Sequence, residues 1–163
     1  MRLGLPVKYV LALLLSLSPL LVQAVEVGEK LAPWTLLDQH DQAYSLNDQT
    51  HTLLVARNMD GAKLVKAALA DQPKGYLEAR NTVFVADIQR MPALISKLFA
   101  IPAMRDYSYR VLLDREGTVA TRYAGAEDKV LWLQLDKGQV VATHEYESAD
   151  ALRQALEQVK VQN

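Results

Sequence analysis

The sequence predicts an α/β domain built on a central mixed β-sheet with helices on both faces. Three observations carry that expectation. Two short apolar runs, His51-Thr52-Leu53-Leu54-Val55-Ala56 and Thr82-Val83-Phe84-Val85-Ala86-Asp87, are unbroken in the way of strands buried on both sides of a sheet. A helical pattern separates them, so the two strands run parallel. Further on, Val130-Leu131-Trp132-Leu133-Gln134-Leu135 and Gln139-Val140-Val141-Ala142-Thr143 flank Asp136-Lys137-Gly138, the strand, tight turn and strand of a hairpin that adds antiparallel strands.

The first 24 residues read as a targeting segment. Arg2 and Lys8 supply its positive charge, and the apolar run Tyr9 to Leu17 is broken by Pro19. Val22-Gln23-Ala24 places small residues at −3 and −1, so cleavage is expected after Ala24. The run is shorter than the about 20 apolar residues that span a bilayer of ~30 Å, which argues against a retained anchor. A domain at 25–163 is expected, long enough for its own core, with a periplasmic location and no membrane span after cleavage. Without Arg2 and Lys8 the chain has 16 basic residues against 19 acidic, a net charge of −3 compared with −1 for all 163 residues. A weakly acidic chain with no basic stripe is a poor nucleic-acid binder, because that binding neutralises phosphates with Lys and Arg. The sequence contains no cysteine, so neither disulfides nor thiol chemistry are open to it.

The remaining elements follow in order. Gly61 to Leu69, rich in alanine and without alternation, reads as a helix with Asp60 as its N-cap. Asp71 to Gly75 interrupts it, and Tyr76 to Arg80 resumes a helical turn. Pro92 suits the first position of a helix in which Leu94, Ile95, Leu98 and Phe99 recur, until Pro102 stops the run. Asp114-Arg115-Glu116 and Asp136-Lys137 read as turn residues. Propensity alone makes Val119 to Tyr123 a strand. Ser148 caps a last amphipathic helix carrying Ala151, Leu152, Ala155, Leu156 and Val159.

Two segments resemble one family closely. Val27 to Asp48, VGEKLAPWTLLDQHDQAYSLND, is similar to the opening of peroxiredoxins and cytochrome-biogenesis thioredoxins, with their valine-glycine pair, Pro-x-Trp, Asp-rich hairpin turn and Ser-Leu. Tyr109 to Val141, YRVLLDREGTVATRYAGAEDKVLWLQLDKGQVV, resembles the same families' aspartate loop, short helix and final hairpin. The resemblance covers nearly all of 27–160 and implies a thioredoxin-like fold. It also implies that Thr118 to Ala124 is a short third helix rather than a strand. The departures concern chemistry. Where redox-active members carry Trp-Cys-x-x-Cys this chain has Asn58-Met59-Asp60-Gly61-Ala62-Lys63, and counting outward from Gly61 puts Asp60 and Lys63 at the two cysteine positions. The family's cis-proline position corresponds to about Val130.

No catalytic residue is therefore expected, and the leading reading is a non-redox binding or interaction protein. Its surface would be the former active-site edge: Arg57, Asn58, Asp60 and Lys63, with Val130 opposite. Arg57 and Asn58 end the central strand, at the edge where α/β folds bind ligands, and an arginine there can hold a carboxylate or phosphate. An Asp60–Lys63 ion pair is the modest alternative to a functional couple. The loop carrying Met104, Arg105, Tyr107 and Tyr109 combines apolar, aromatic and basic side chains, as partner surfaces do, and equally suits a core-covering helix with its loop. His40, His51 and His144 are scattered without ligand spacing, and Met59, Met91 and Met104 fall in different elements, so no metal site is expected. No Gly-x-Gly-x-x-Gly supports a dinucleotide or flavin, no nucleophile elbow is present, and no cofactor is expected. Two other readings stay open: an oxidoreductase using a supplied flavin or metal, and a structural subunit docking through 91–109. The partner, a protein or small molecule of the cell envelope, is not identified by the sequence.

Overall fold

The computed structural model describes residues 25–123 and 125–162, so the expected export signal lies outside the described residues. Within them the strands are β1 (Thr35–Asp38), β2 (Ala43–Ser45), β3 (Thr52–Ala56), β4 (Thr82–Asp87), β5 (Leu112–Asp114), β6 (Val130–Asp136) and β7 (Gln139–Tyr146). They form one mixed sheet in the order β2-β1-β5-β4-β3-β6-β7. β3 is parallel to β4 and antiparallel to β6, while β4 and β5 are parallel. The β6–β7 hairpin closes through Lys137 and Gly138, both at positive φ, which is where the glycine in the expected turn is needed.

Alternation along the central strands divides the core in two. Leu54, Phe84, Val130 and Trp132 face one side, where they meet Val65 of α1 (Met59–Ala68), Ile101 and Met104 of the helical segment 93–104, and Leu152 and Leu156 of α4 (Ala149–Gln158). That segment comprises α2 (Ala93–Ile95), a π-helical turn (Ser96–Ala100) and α3 (Ile101–Met104). Leu53, Val55, Val85 and Leu131 face the other side, covered by Leu31, Trp34 and a short 3-10 helix, Ala120–Arg122. Both faces carry helix, but the second carries only one turn of it.

The structure adds three short strands and changes four expectations. β1, β2 and β5 span 3 or 4 residues each, too few for period-2 alternation to register. Val119 to Tyr123 is not a strand, and the family-based expectation of a short helix holds for Ala120–Arg122. The cause is Asp114, which is 1% exposed and more than a turn residue. Its carboxylate accepts from the amides of Thr118 (3.1 Å), Val119 (2.9 Å) and Ala120 (2.7 Å), drawing the chain into a turn against its β-propensity. Tyr123 then receives the Trp34 indole N–H at 2.8 Å in the core. Finally, Pro102 does not stop its helix and Pro92 precedes α2 as its cap rather than sitting at its first position. The Ile101 amide bonds to the Ser96 carbonyl in the π-turn, and Pro102 follows where the ladder reverts to α, so its missing N–H costs little.

Asp114→Ala is expected to cost roughly 3 kcal/mol by urea unfolding, because it strands the two buried amides of Val119 and Ala120 and the part-buried one of Thr118. A loss below about 1 kcal/mol would show that the turn holds itself.

Candidate functional site

Three chain segments leave the sheet at one level. Ala56 is paired with Ala86 on one side and Val130 on the other, so the chain after β3, the chain after β4 and the chain before β6 converge at a single edge. Arg57 to Asp60 from the first segment and Asp87, Ile88 and Arg90 to Pro92 from the second, with Ile95, enclose an open groove of about 490 Å³. Its apolar lining is Met59, Ile88, Met91, Pro92 and Ile95, and its charged lining is Arg57, Asp60, Asp87 and Arg90.

The helix start differs from the expectation. Asn58, not Asp60, is the N-cap: its Oδ1 accepts from the amides of Asp60 (3.0 Å) and Gly61 (3.1 Å), and α1 begins at Met59. Asp60 sits in the first turn, where its negative charge suits the helix dipole. Gly61 is buried against the neighbouring segment. A Cβ there would lie 3.0 Å from the Lys129 carbonyl oxygen and 3.2 Å from the Ala56 Cβ, so the helix start seats as closely as it does only with glycine.

The other expected residues divide. Arg57 is half-buried and donates Nη1 to the Gly125 carbonyl at 3.0 Å, while its buried Nε has no partner among the described residues. Arg90, which the sequence reading did not single out, makes a bidentate pair with Glu127 at 3.0 and 2.8 Å. Together these contacts fasten the segment before β6 across the edge. Lys63 is exposed, and no ion pair joins it to Asp60 among the described residues. Val130 is fully buried, so it lies beneath the edge and adds no side chain to a surface. In the second group, Met104 and Tyr109 are buried in the core, and burial pushes the Tyr109 hydroxyl well above the ordinary tyrosine range. Arg105 donates Nε to the Gln39 carbonyl at 2.9 Å, and Tyr107 lies between Tyr109 and the Lys66 ammonium. Only Arg105 is exposed among these residues, and Tyr107 is half-buried.

The side chains that do face solvent are the apolar ones of the helix before that loop. Leu94, Ile95, Leu98 and Phe99 are 68%, 46%, 58% and 65% exposed, and Met59 beside them is 46% exposed. Spacing found this face but could not say which way it points, because Ile101 and Met104 give the same helix a second apolar face. In the structure Ser96 is on the inner side, buried, with its hydroxyl donating to the Ala93 carbonyl at 2.9 Å. Of the candidate metal ligands, Met59 and Met91 line the groove while Met104 is in the core, and His40 lies in the β1–β2 turn. No group of three or more His, Asp or Glu among the described residues is arranged to hold a metal ion.

No family model matches the chain, and no curated protein matches it. Solved structures do. A peroxidoxin, BcpB, from Mycobacterium tuberculosis matches with a TM-score of 0.53 at 20% identity, over 83% of this chain and 96% of that one. A putative thiol:disulfide interchange protein, DsbE, from Chlorobium tepidum matches with a TM-score of 0.54 at 19% identity, over 83% and 95%. A putative protein disulfide isomerase from Bacteroides thetaiotaomicron matches with a TM-score of 0.55 at 15% identity, over 83% and 88%. The chain has a thioredoxin-like fold. At these identities the likeness is one of fold, and this thioredoxin-like chain contains no cysteine. Among the described residues no helix is long and apolar enough to cross a membrane.

Two measurements check this geometry. Asn58→Ala is expected to cost about 1 kcal/mol in chemical unfolding and Asp60→Ala clearly less; the reverse order would restore Asp60 as the cap. The Arg90 guanidinium holds the Glu127 carboxyl below its ordinary value of 4.5, so the pair's contribution is present above that pH and lost as pH falls through the lowered value. In an NMR titration Arg90→Ala should return the Glu127 midpoint to the ordinary range. An unchanged midpoint would mean that the pair does not persist in solution.

Proposed function

We propose that this chain is an exported, non-redox thioredoxin-like binding protein of the periplasm, and that it takes an apolar segment of an envelope protein at the carboxyl edge of its sheet. The observation that carries the reading is the apolar row Leu94, Ile95, Leu98 and Phe99, exposed on one helix and continuous through Ile95 and Met59 with the groove. Exposed apolar residues scattered singly need no explanation, whereas a contiguous set beside a concave site is a mark of interaction surfaces. The polar groups of the edge support the same reading. Arg57 donates Nη1 to Gly125 and Arg90 pairs with Glu127, so two of the groove's four charged side chains are already engaged within the chain. Export rests on the charged, apolar and small-residue pattern of residues 1–24.

The test places a photo-cross-linking side chain at the exposed Lys97 and irradiates cells expressing the full chain. A discrete adduct with one envelope protein is expected. It should disappear when Leu98→Asp and Phe99→Asp are combined, with the urea midpoint unchanged. No adduct, an adduct only with a second copy, or an adduct that survives both substitutions would overturn the proposal.

A further inference from the structure

A second cavity, of about 450 Å³, opens over β6 and β7 beyond the last turn of α4, on a different part of the sheet from the groove. One wall is aromatic. Trp132 and His144 are directly paired across the β6–β7 ladder and so share a face, as do Val130 and Tyr146. The Trp132 and Tyr146 rings meet edge to face at 5.6 Å, and His144 lies 6.4 Å from Tyr146. The other walls bring in Arg80, Lys160 and His51. Sequence spacing kept His51 and His144 apart; the sheet places both on this one cavity.

Two features give the cavity a chemical preference. Its described lining contains no Asp or Glu, in a chain that carries 19 of them. The Arg80 guanidinium is also fixed in advance. It stacks 3.7 Å from the Tyr76 ring and donates Nε to the Leu156 carbonyl and Nη1 to the Tyr76 carbonyl. Its Nη2 has no hydrogen-bond partner among the described residues, and a cation held this way spends little conformational freedom when an anion arrives there. The Lys160 ammonium has no carboxylate within ion-pair distance among the described residues. An aromatic wall takes the face or edge of a planar apolar body, and the cations take a carboxylate or phosphate. The volume is in the range of small-molecule sites.

We propose that this cavity binds a small organic anion consisting of a planar apolar body and a carboxylate or phosphate. The site is independent of the partner edge, so either can fail without the other.

The experiment titrates the ¹⁵N-labelled full chain with 2-naphthoate, 2-naphthyl phosphate, neutral 2-naphthylmethanol and inorganic phosphate. At least one naphthyl anion should shift the Trp132 indole and the His144 and Lys160 amides saturably, with a Kd of about 1 mM or tighter. The alcohol and inorganic phosphate should each bind about tenfold more weakly, since each lacks one half of the recognised chemistry. Lys160→Glu combined with His144→Glu, both at exposed or rim positions, should weaken the anion by at least the same factor, while Leu98→Asp should leave it unchanged. Absence of saturation with both naphthyl anions would overturn the proposal. So would equal affinity for the alcohol or for inorganic phosphate, or shifts centred on Met59 and Ile95 instead.

Discussion

The double pairing of β3 is the constraint on which the rest of this molecule depends. Five buried residues, Thr52–Ala56, are hydrogen-bonded on both sides, to β4 in parallel and to β6 in antiparallel register. A strand so placed has no free edge and no solvent face, which is why its sequence shows no alternation. Its register fixes the groove as well as the fold. Since Ala56 lies opposite both Ala86 and Val130, the first residues after two strands and the last residues before a third are brought to one rim. A slip of one residue on either side would turn every side chain to the other face and break up the groove.

The exposed helix depends on anchors at its far end. Ile101 and Met104 enter the core, and the buried Gln39 carboxamide bonds the Tyr109 carbonyl at 2.8 Å, the Met104 carbonyl at 3.3 Å and the Val111 amide at 2.9 Å. One side chain from the β1–β2 turn thereby ties the end of the segment 93–104 to the start of β5. With that end fixed, the π-turn sets how the preceding residues rotate. An i→i+5 turn takes up one residue more than an α turn does, so the faces before and after it are out of phase with a regular helix. Ile101 and Met104 can therefore face inward while Leu94, Leu98 and Phe99 face solvent. The exposure comes from how this helix is built and held.

How much of this was legible in the sequence follows from length and from range. β3, β4, β6 and α4 were readable because each carries its own pattern over 5 to 10 residues. β1, β2 and β5 were not, because three or four residues carry none and only their neighbours make them strands. At the site, Arg57 and Asn58 were placed at the end of the central strand from sequence alone, and both are found there. The exchange of cap between Asp60 and Asn58 is a two-residue shift that residue type cannot settle, since both are good caps. The turn that Asp114 imposes and the burial of Val130 are tertiary effects. So is the outward face of 93–104, which required knowing where Ile101 and Met104 find their partners.

The physical state of the edge also bears on what the missing cysteines mean. In a thioredoxin-like fold a thiolate at the helix start is stabilised by free amides and by the helix dipole. Here those amides are in use. Asn58 takes the N–H groups of Asp60 and Gly61, and Asp60 adds a carboxylate to the same turn. Across the rim, Arg57 is bonded to Gly125, the Ala126 amide to Glu145, and Arg90 to Glu127. Apart from the buried Arg57 Nε, the donors named here are bonded internally, so a small anion or a developing negative charge would have to displace bonds already made. What remains unspent is apolar surface: Met59 and Ile95 at the groove, and Leu94, Leu98 and Phe99 beside it. The absence of thiols and the bonded polar rim both accord with the proposed reading, in which this edge buries a hydrophobic partner.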